Sequence, residues 1–170
     1  MHRDDEFQNP PPHRRGALAI IRNERHGVLL VQKSYRGGQW GLPGGLALAG
    51  EFPHEAWIRE VEEETGLLLK PGRLLVVDCI PRDEETGSEA GTNFVFDGGR
   101  VSSDAEIRLP DALPGEEPEL TDYRFVDTHE LGRFVTPLTE RRTRAAVAAL
   151  KSGEDATAYL VEGLPPVTMR

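Results

Sequence analysis

What most narrows the folds open to this chain lies between residues 40 and 67. The turn Trp40-Gly41-Leu42-Pro43-Gly44-Gly45 cannot stay in regular structure for long, because proline removes a backbone donor and glycine opens positive φ. Beyond it come helix formers with Pro53 in the first turn and Gly66 as a stop, so the spacing predicts a helix over Pro53–Thr65. On that helix Glu60, Glu63 and Glu64 stand at i, i+3 and i+4 and share a stripe about 100° wide, while Glu62 points away. Trp57, Ile58, Val61 and Thr65 take the neighbouring sector as the expected core face, which puts the carboxylates at its margin. Like charges at this spacing destabilise a helix by about 0.2–0.5 kcal/mol per pair. A bound hard cation reverses that cost, so the stripe asks for magnesium, with manganese as a substitute.

The rest of the chain bounds the setting. A length of 170 residues suits one domain, and no repeat of solenoid length is visible. A net charge of −9 argues against tight, sequence-blind gripping of a nucleic-acid backbone and leaves small anionic ligands reachable through metal. Cys79 is the single cysteine and cannot close an internal disulfide; it is expected to be an inert buried thiol. The N-terminus lacks the apolar run of a secretory signal and no stretch of 18 apolar residues occurs, so a cytoplasmic protein without a membrane partner is expected.

Residues 1–14, polar and carrying Pro10-Pro11-Pro12, read as a loose arm able to pack in a homodimer; residues 15–162 read as the domain and 163–170 as a tail. Apolar runs at 16–21 and 28–32, joined by Asn23-Glu24-Arg25-His26-Gly27, read as a hairpin. Further strands are expected at 74–80, 92–96, 123–126 and 158–161, a long loop at 102–118, and a last helix after Thr136-Pro137 that ends at Ser152-Gly153.

The spacing Gly45-x5-Glu51-x7-Arg59-Glu60-Val61-x-Glu63-Glu64-x-Gly66-Leu67 resembles the signature of the Nudix hydrolase family at each fixed position. With common residues at about 7% each, such agreement arises by chance on the order of 10⁻⁸ times per starting point, so coincidence is set aside. The lead-in from Trp40 also looks like the family's. The resemblance implies an α/β fold, a Nudix-type α/β/α sandwich with a mixed central sheet. It further implies that Glu60, Glu63 and Glu64 bind metal with the Gly45 carbonyl, and that Glu51 pairs with Arg59 to hold the loop on the helix.

Two positions depart from the family's habit. Leu48 stands where many members have a glutamate, and Phe52 where a capping Ser or Thr is common, so Glu55 is expected to support the helix start. Relatives often add a glutamate from a loop after the box, for which Glu116, Glu117 and Glu119 are candidates. Glu60, or one of these, is the expected base.

The implied reaction is metal-dependent hydrolysis of a phosphoanhydride in a nucleoside diphosphate linked to another group. A proline near the place of Pro81 points to ADP-ribose-type substrates. A non-catalytic nucleotide sensor and an RNA-end pyrophosphohydrolase are the rival readings. For substrate contacts, Arg36 can meet a phosphate and Phe94 can stack a base, although such groups more often serve as solvated face and core. Arg141, Arg142 and Arg144 read as solvent face or as partners of acidic neighbours.

Overall fold

Alternation along the first strand sets the layers. In a computed structural model, which describes residues 10–153 and 155–167 without the side chain of Arg36, β1 spans Arg14–Arg22. It turns Ala17, Ala19 and Ile21 to one face and Leu18 and Ile20 to the other. With both faces apolar, the strand needs cover on each side. Helix α1 (Pro53–Thr65) covers the first face through Ala56, Trp57 and Val61, and helix α2 (Pro137–Lys151) covers the second through Ala146 and Ala149. This is the expected α/β/α sandwich.

The other strands are β2 (Val28–Lys33), β3 (Gln39–Gly41), β4 (Gly44–Leu46), β5 (Leu74–Ile80), β6 (Gly91–Arg100), β7 (Leu120–Val126) and β8 (Ala158–Val161). The order along the sheet is β3-β2-β1-β6-β5-β8, with β4 also on β1 and β7 also on β2. β1 lies parallel to β6, and β5 parallel to β8, while the remaining pairs are antiparallel.

The expected hairpin of β1 and β2 needs correction. The two strands pair only where they meet, Arg22 opposite Val28, and then diverge. Asn23 Oδ1 fixes the turn by accepting from Arg25 N at 3.1 Å and Gly27 N at 2.9 Å. The fork between them is filled by the proline-glycine segment, which forms two short strands: β3 on β2 and β4 on β1, joined through Leu42-Pro43. The Pro43 carbonyl accepts from Ala19 N at 2.9 Å. Strands are thus possible on either side of Pro43 because each lasts three residues.

Three further expectations change. Ile58 is 39% exposed, because Ala56 takes its place beside Trp57. Cys79 is half-buried, with its sulfur 3.9 Å from Thr92 Oγ1. Of its two readings Arg142 loses the solvent face and keeps the acidic partner, buried and distant in sequence: its Nε donates to Asp78 Oδ2 at 2.6 Å, and Asp78 is 0% exposed. Gly163 N donates to Asp78 Oδ1 at 2.9 Å, so the pair also anchors the turn after β8. Arg144 does bind an acidic neighbour, Glu140, at 2.7 Å.

Of the expected arm, residues 1–9 lie outside the described residues, while Arg14 already belongs to β1. No helix among the described residues is long and apolar enough to cross a membrane.

Candidate functional site

The end of α1 and the β3–β4 segment meet at the start of β1. The helix begins as the sequence required: Phe52 has no acceptor in its side chain, and Glu55 Oε2 accepts from Phe52 N at 2.8 Å instead. It ends at Gly66, whose φ of 70° suits a left-handed stop and whose N–H donates to Glu62 O at 2.8 Å.

Gly44 and Gly45 bring β4 close to both β1 and α1. A Cβ on Gly44, at φ 129°, would strike the Ala17 carbonyl, and one on Gly45 would overlap the Glu60 carboxylate. Gly44 is therefore required by backbone angle and by close approach to backbone, while at Gly45 the space is taken by the end of the Glu60 side chain.

The acidic stripe is graded by depth. Glu64 is 4% exposed and accepts from Gly44 N at 2.7 Å, with Lys33 Nζ 3.3 Å from its other oxygen. Glu60 is half-buried against Gly45, and the Glu63 side chain keeps 58% exposure. Burial pushes the Glu64 carboxyl up to about 7, while the Lys33 charge and the Gly44 amide limit the rise. For Lys33, burial works against the ammonium, yet Glu64 and Tyr35 leave its pKa raised. The two directions agree on one reading: the proton lost near neutrality is that of Glu64.

Arg59 organises the rest. Its Nε and Nη2 each lie 2.9 Å from the two oxygens of Glu51, a forked pair, and Nη2 also donates to Leu46 O at 3.1 Å. Glu51 Oε2 in turn accepts from Leu48 N at 2.8 Å. Hydrogen bonds from Arg59 and Leu48 hold Glu51 down at about 2, against a small opposing effect of burial. Arg59 Nη1 reaches Glu60 at 2.8 Å and Glu63 at 3.2 Å. The loop from Leu46 to Glu51 is thereby tied to the helix.

Four carboxylates, Glu51, Glu60, Glu63 and Glu64, thus share two cations, Arg59 and Lys33. Among the described residues no group of three His, Cys, Asp or Glu stands close enough together to hold a metal ion. The trio is partly neutralised where it stands, rather than gathered round one point. The donor set nevertheless fits a hard cation in kind: oxygen atoms only, an excess of negative charge, and a glycine where a side chain would collide with Glu60.

The remaining candidates divide. Phe94, half-buried on β6, flanks Ala17 on the side opposite Gly45, so it lies about two strand spacings, or 9–10 Å, from the glycine. Arg36 lies in a turn after β2 and its side chain falls outside the description. Glu116, Glu117 and Glu119 are all exposed; the Glu119 carbonyl accepts from Ser34 N at 3.0 Å, next to Lys33. Sequence reasoning missed Lys33, whose only signal was a charge closing an apolar strand.

A family model described as NUDIX domain matches residues 12–150. The chain is 46% identical over 81 residues to an 8-oxo-dGDP phosphatase of Mus musculus, covering 46% of this chain and 23% of that protein. It is 32% identical over 142 residues to a MutT-like protein of Streptomyces ambofaciens, covering 72% of this chain and 92% of that one. The crystal structure of a MutT protein from Methanosarcina mazei Go1 superposes with a TM-score of 0.65 at 28% identity, over 84% of this chain and 96% of that one. The chain spans only 23% and 29% of the length of two curated proteins it matches.

Proposed function

The chain belongs to the NUDIX domain family, and from that premise we propose that it hydrolyses a phosphoanhydride bond in a nucleoside diphosphate linked to another moiety. The observation that carries this reading is the helix face of Glu60, Glu63 and Glu64, tied by Arg59 to a loop whose glycine abuts Glu60.

A divalent cation, magnesium or manganese in its place, would be held by oxygens of Glu60, Glu63 and Glu64 with the Gly45 carbonyl. When bound, it supplies positive charge against the diphosphate and the leaving phosphate oxygen. The chain does the rest. Arg59 and Glu51 keep the ligand carboxylates aimed, and Lys33 holds Glu64 in place beneath Gly44. Water attacks phosphorus, and its proton passes to Glu60 or to Glu119, the loop glutamate whose backbone is fixed beside Ser34. Phe94 and Arg36 serve as base and phosphate contacts, and an ADP-ribose-type substrate is the finer reading suggested by Pro81.

The test is incubation with magnesium and a panel of ADP-ribose, nucleotide sugars, dinucleoside polyphosphates and oxidised nucleoside triphosphates, read by mass spectrometry. Two phosphorylated halves from one substrate are expected. Glu64→Gln should lower that turnover at least about tenfold, near 1.4 kcal/mol of transition-state stabilisation. Intact ligands throughout would reject hydrolysis and leave nucleotide binding without turnover.

A further inference from the structure

At the opposite end of the sheet from the carboxylates lies a second concavity whose charge runs against that of the chain. It has a volume of about 490 Å³ and opens where β1 ends, where β6 ends and where the last turn of α2 passes them. Arg22, Arg25, Arg100 and Lys151 line it, in a protein of net charge −9. Among the described residues two carboxylates answer these four cations: Asp127 in the lining, and Asp97, 3.4 Å from Arg22 Nη2. Asp127 is itself engaged, its Oδ1 accepting from His129 N at 2.8 Å.

The cations are under-used. Arg22 Nε is buried and has no hydrogen-bond partner. Among the described residues Arg100 Nη2 reaches the ring of His26, at 3.2 Å, and no carboxylate. Among the described residues neither Arg25 nor Lys151 has an acidic partner. Like charges lining one cavity repel, and an anion placed among them lowers that repulsion. At the nearby carbonyl end of α2, Ala149 O already accepts from Arg73 Nη2 at 2.7 Å, so a further cation shares the partial negative charge found there.

The shape narrows the ligand. Val147 and Leu150 give the cavity an apolar wall, and its volume falls in the range of about 300–1,000 Å³ usual for small-molecule sites. Guanidinium groups match phosphate oxygens in geometry as well as charge. Distance separates this place from the carboxylate helix. Arg22 stands five residues along β1 from Ala17, the partner of Gly45, about 16–17 Å in an extended strand.

We propose that this cavity is a second binding site, taking the phosphate group of a small phosphorylated molecule whose organic part rests on Val147 and Leu150. The site does not depend on the hydrolytic reading.

Calorimetric titration of the full chain with inorganic pyrophosphate and with AMP, in EDTA to remove divalent metal, tests it. Wild type and Glu64→Gln should bind alike, AMP should bind at least as well as pyrophosphate relative to its charge, and binding should weaken with added salt. The Arg25→Glu/Arg100→Glu double variant should bind at least about tenfold more weakly with unchanged melting, and if it melts early Lys151→Glu takes its place. Absence of wild-type binding at millimolar ligand overturns the proposal. So does binding lost in Glu64→Gln and kept in the arginine variant, or affinity for an RNA oligonucleotide alone.

Discussion

Lys33 Nζ stands 3.3 Å from Glu64 Oε1, joining the end of β2 to the inner edge of α1 beneath Gly44. Burial raises the Glu64 carboxyl to about 7, and the ammonium beside it limits that rise.

The burial of Glu64 has a consequence for stability. The folded Glu64 carboxyl holds its proton up to about pH 7, whereas an unfolded one releases it near 4.5. Protonation therefore stabilises the metal-free fold fully below 4.5, and the contribution is lost as pH rises through 7. Melting curves in EDTA should show wild type falling behind Glu64→Gln across this window. Parallel curves at every pH would refute the assignment.

Replacing Arg59 tests the tie between loop and helix. Arg59→Ala removes the fork on Glu51 and the bond to Leu46 together. The melting temperature should drop and magnesium affinity should weaken about 10- to 100-fold, the usual effect of losing a group that orients ligands. Arg59→Lys should recover little of either, since an ammonium cannot bridge both Glu51 oxygens. Unchanged melting and metal titration in Arg59→Ala would count against this role.

Gly45→Ala separates catalysis from folding. The added Cβ would displace only the end of the flexible Glu60 side chain, while no positive φ is at stake at this position. Melting should stay within about 1 kcal/mol of wild type, whereas turnover should fall at least about tenfold. Full activity would show that Glu60 need not sit against the glycine.

The Arg142 and Asp78 pair bears on stability rather than chemistry. Arg142→Ala leaves a buried carboxylate without its cation, a loss of about 3–5 kcal/mol by chemical denaturation. The double replacement Asp78→Leu/Arg142→Met should regain part of it, because the buried charge is then gone while Gly163 N loses its acceptor. A mild effect of Arg142→Ala alone would mean that Asp78 finds another partner.

Local chemistry made much of this protein legible. Pro53 and Gly66 bounded α1, the period of the glutamates placed them on one side of it, and apolar runs located β5 and β8 to the residue. The stop-start composition around Pro43 announced a tight segment, although not that it would fill the fork between β1 and β2.

By itself, then, the amino-acid order determined α1, most of the longer elements and the gathering of carboxylates on one side of α1, because turns, caps and periodicity act over a few neighbouring residues. Only the tertiary structure decided that Glu64 is sunk beside Lys33, that Arg142 is buried on Asp78, and that Arg22, Arg25, Arg100 and Lys151 line one cavity. Those outcomes come from strands pairing across long separations, where desolvation and Coulomb attraction depend on which segments meet, and no local period records that.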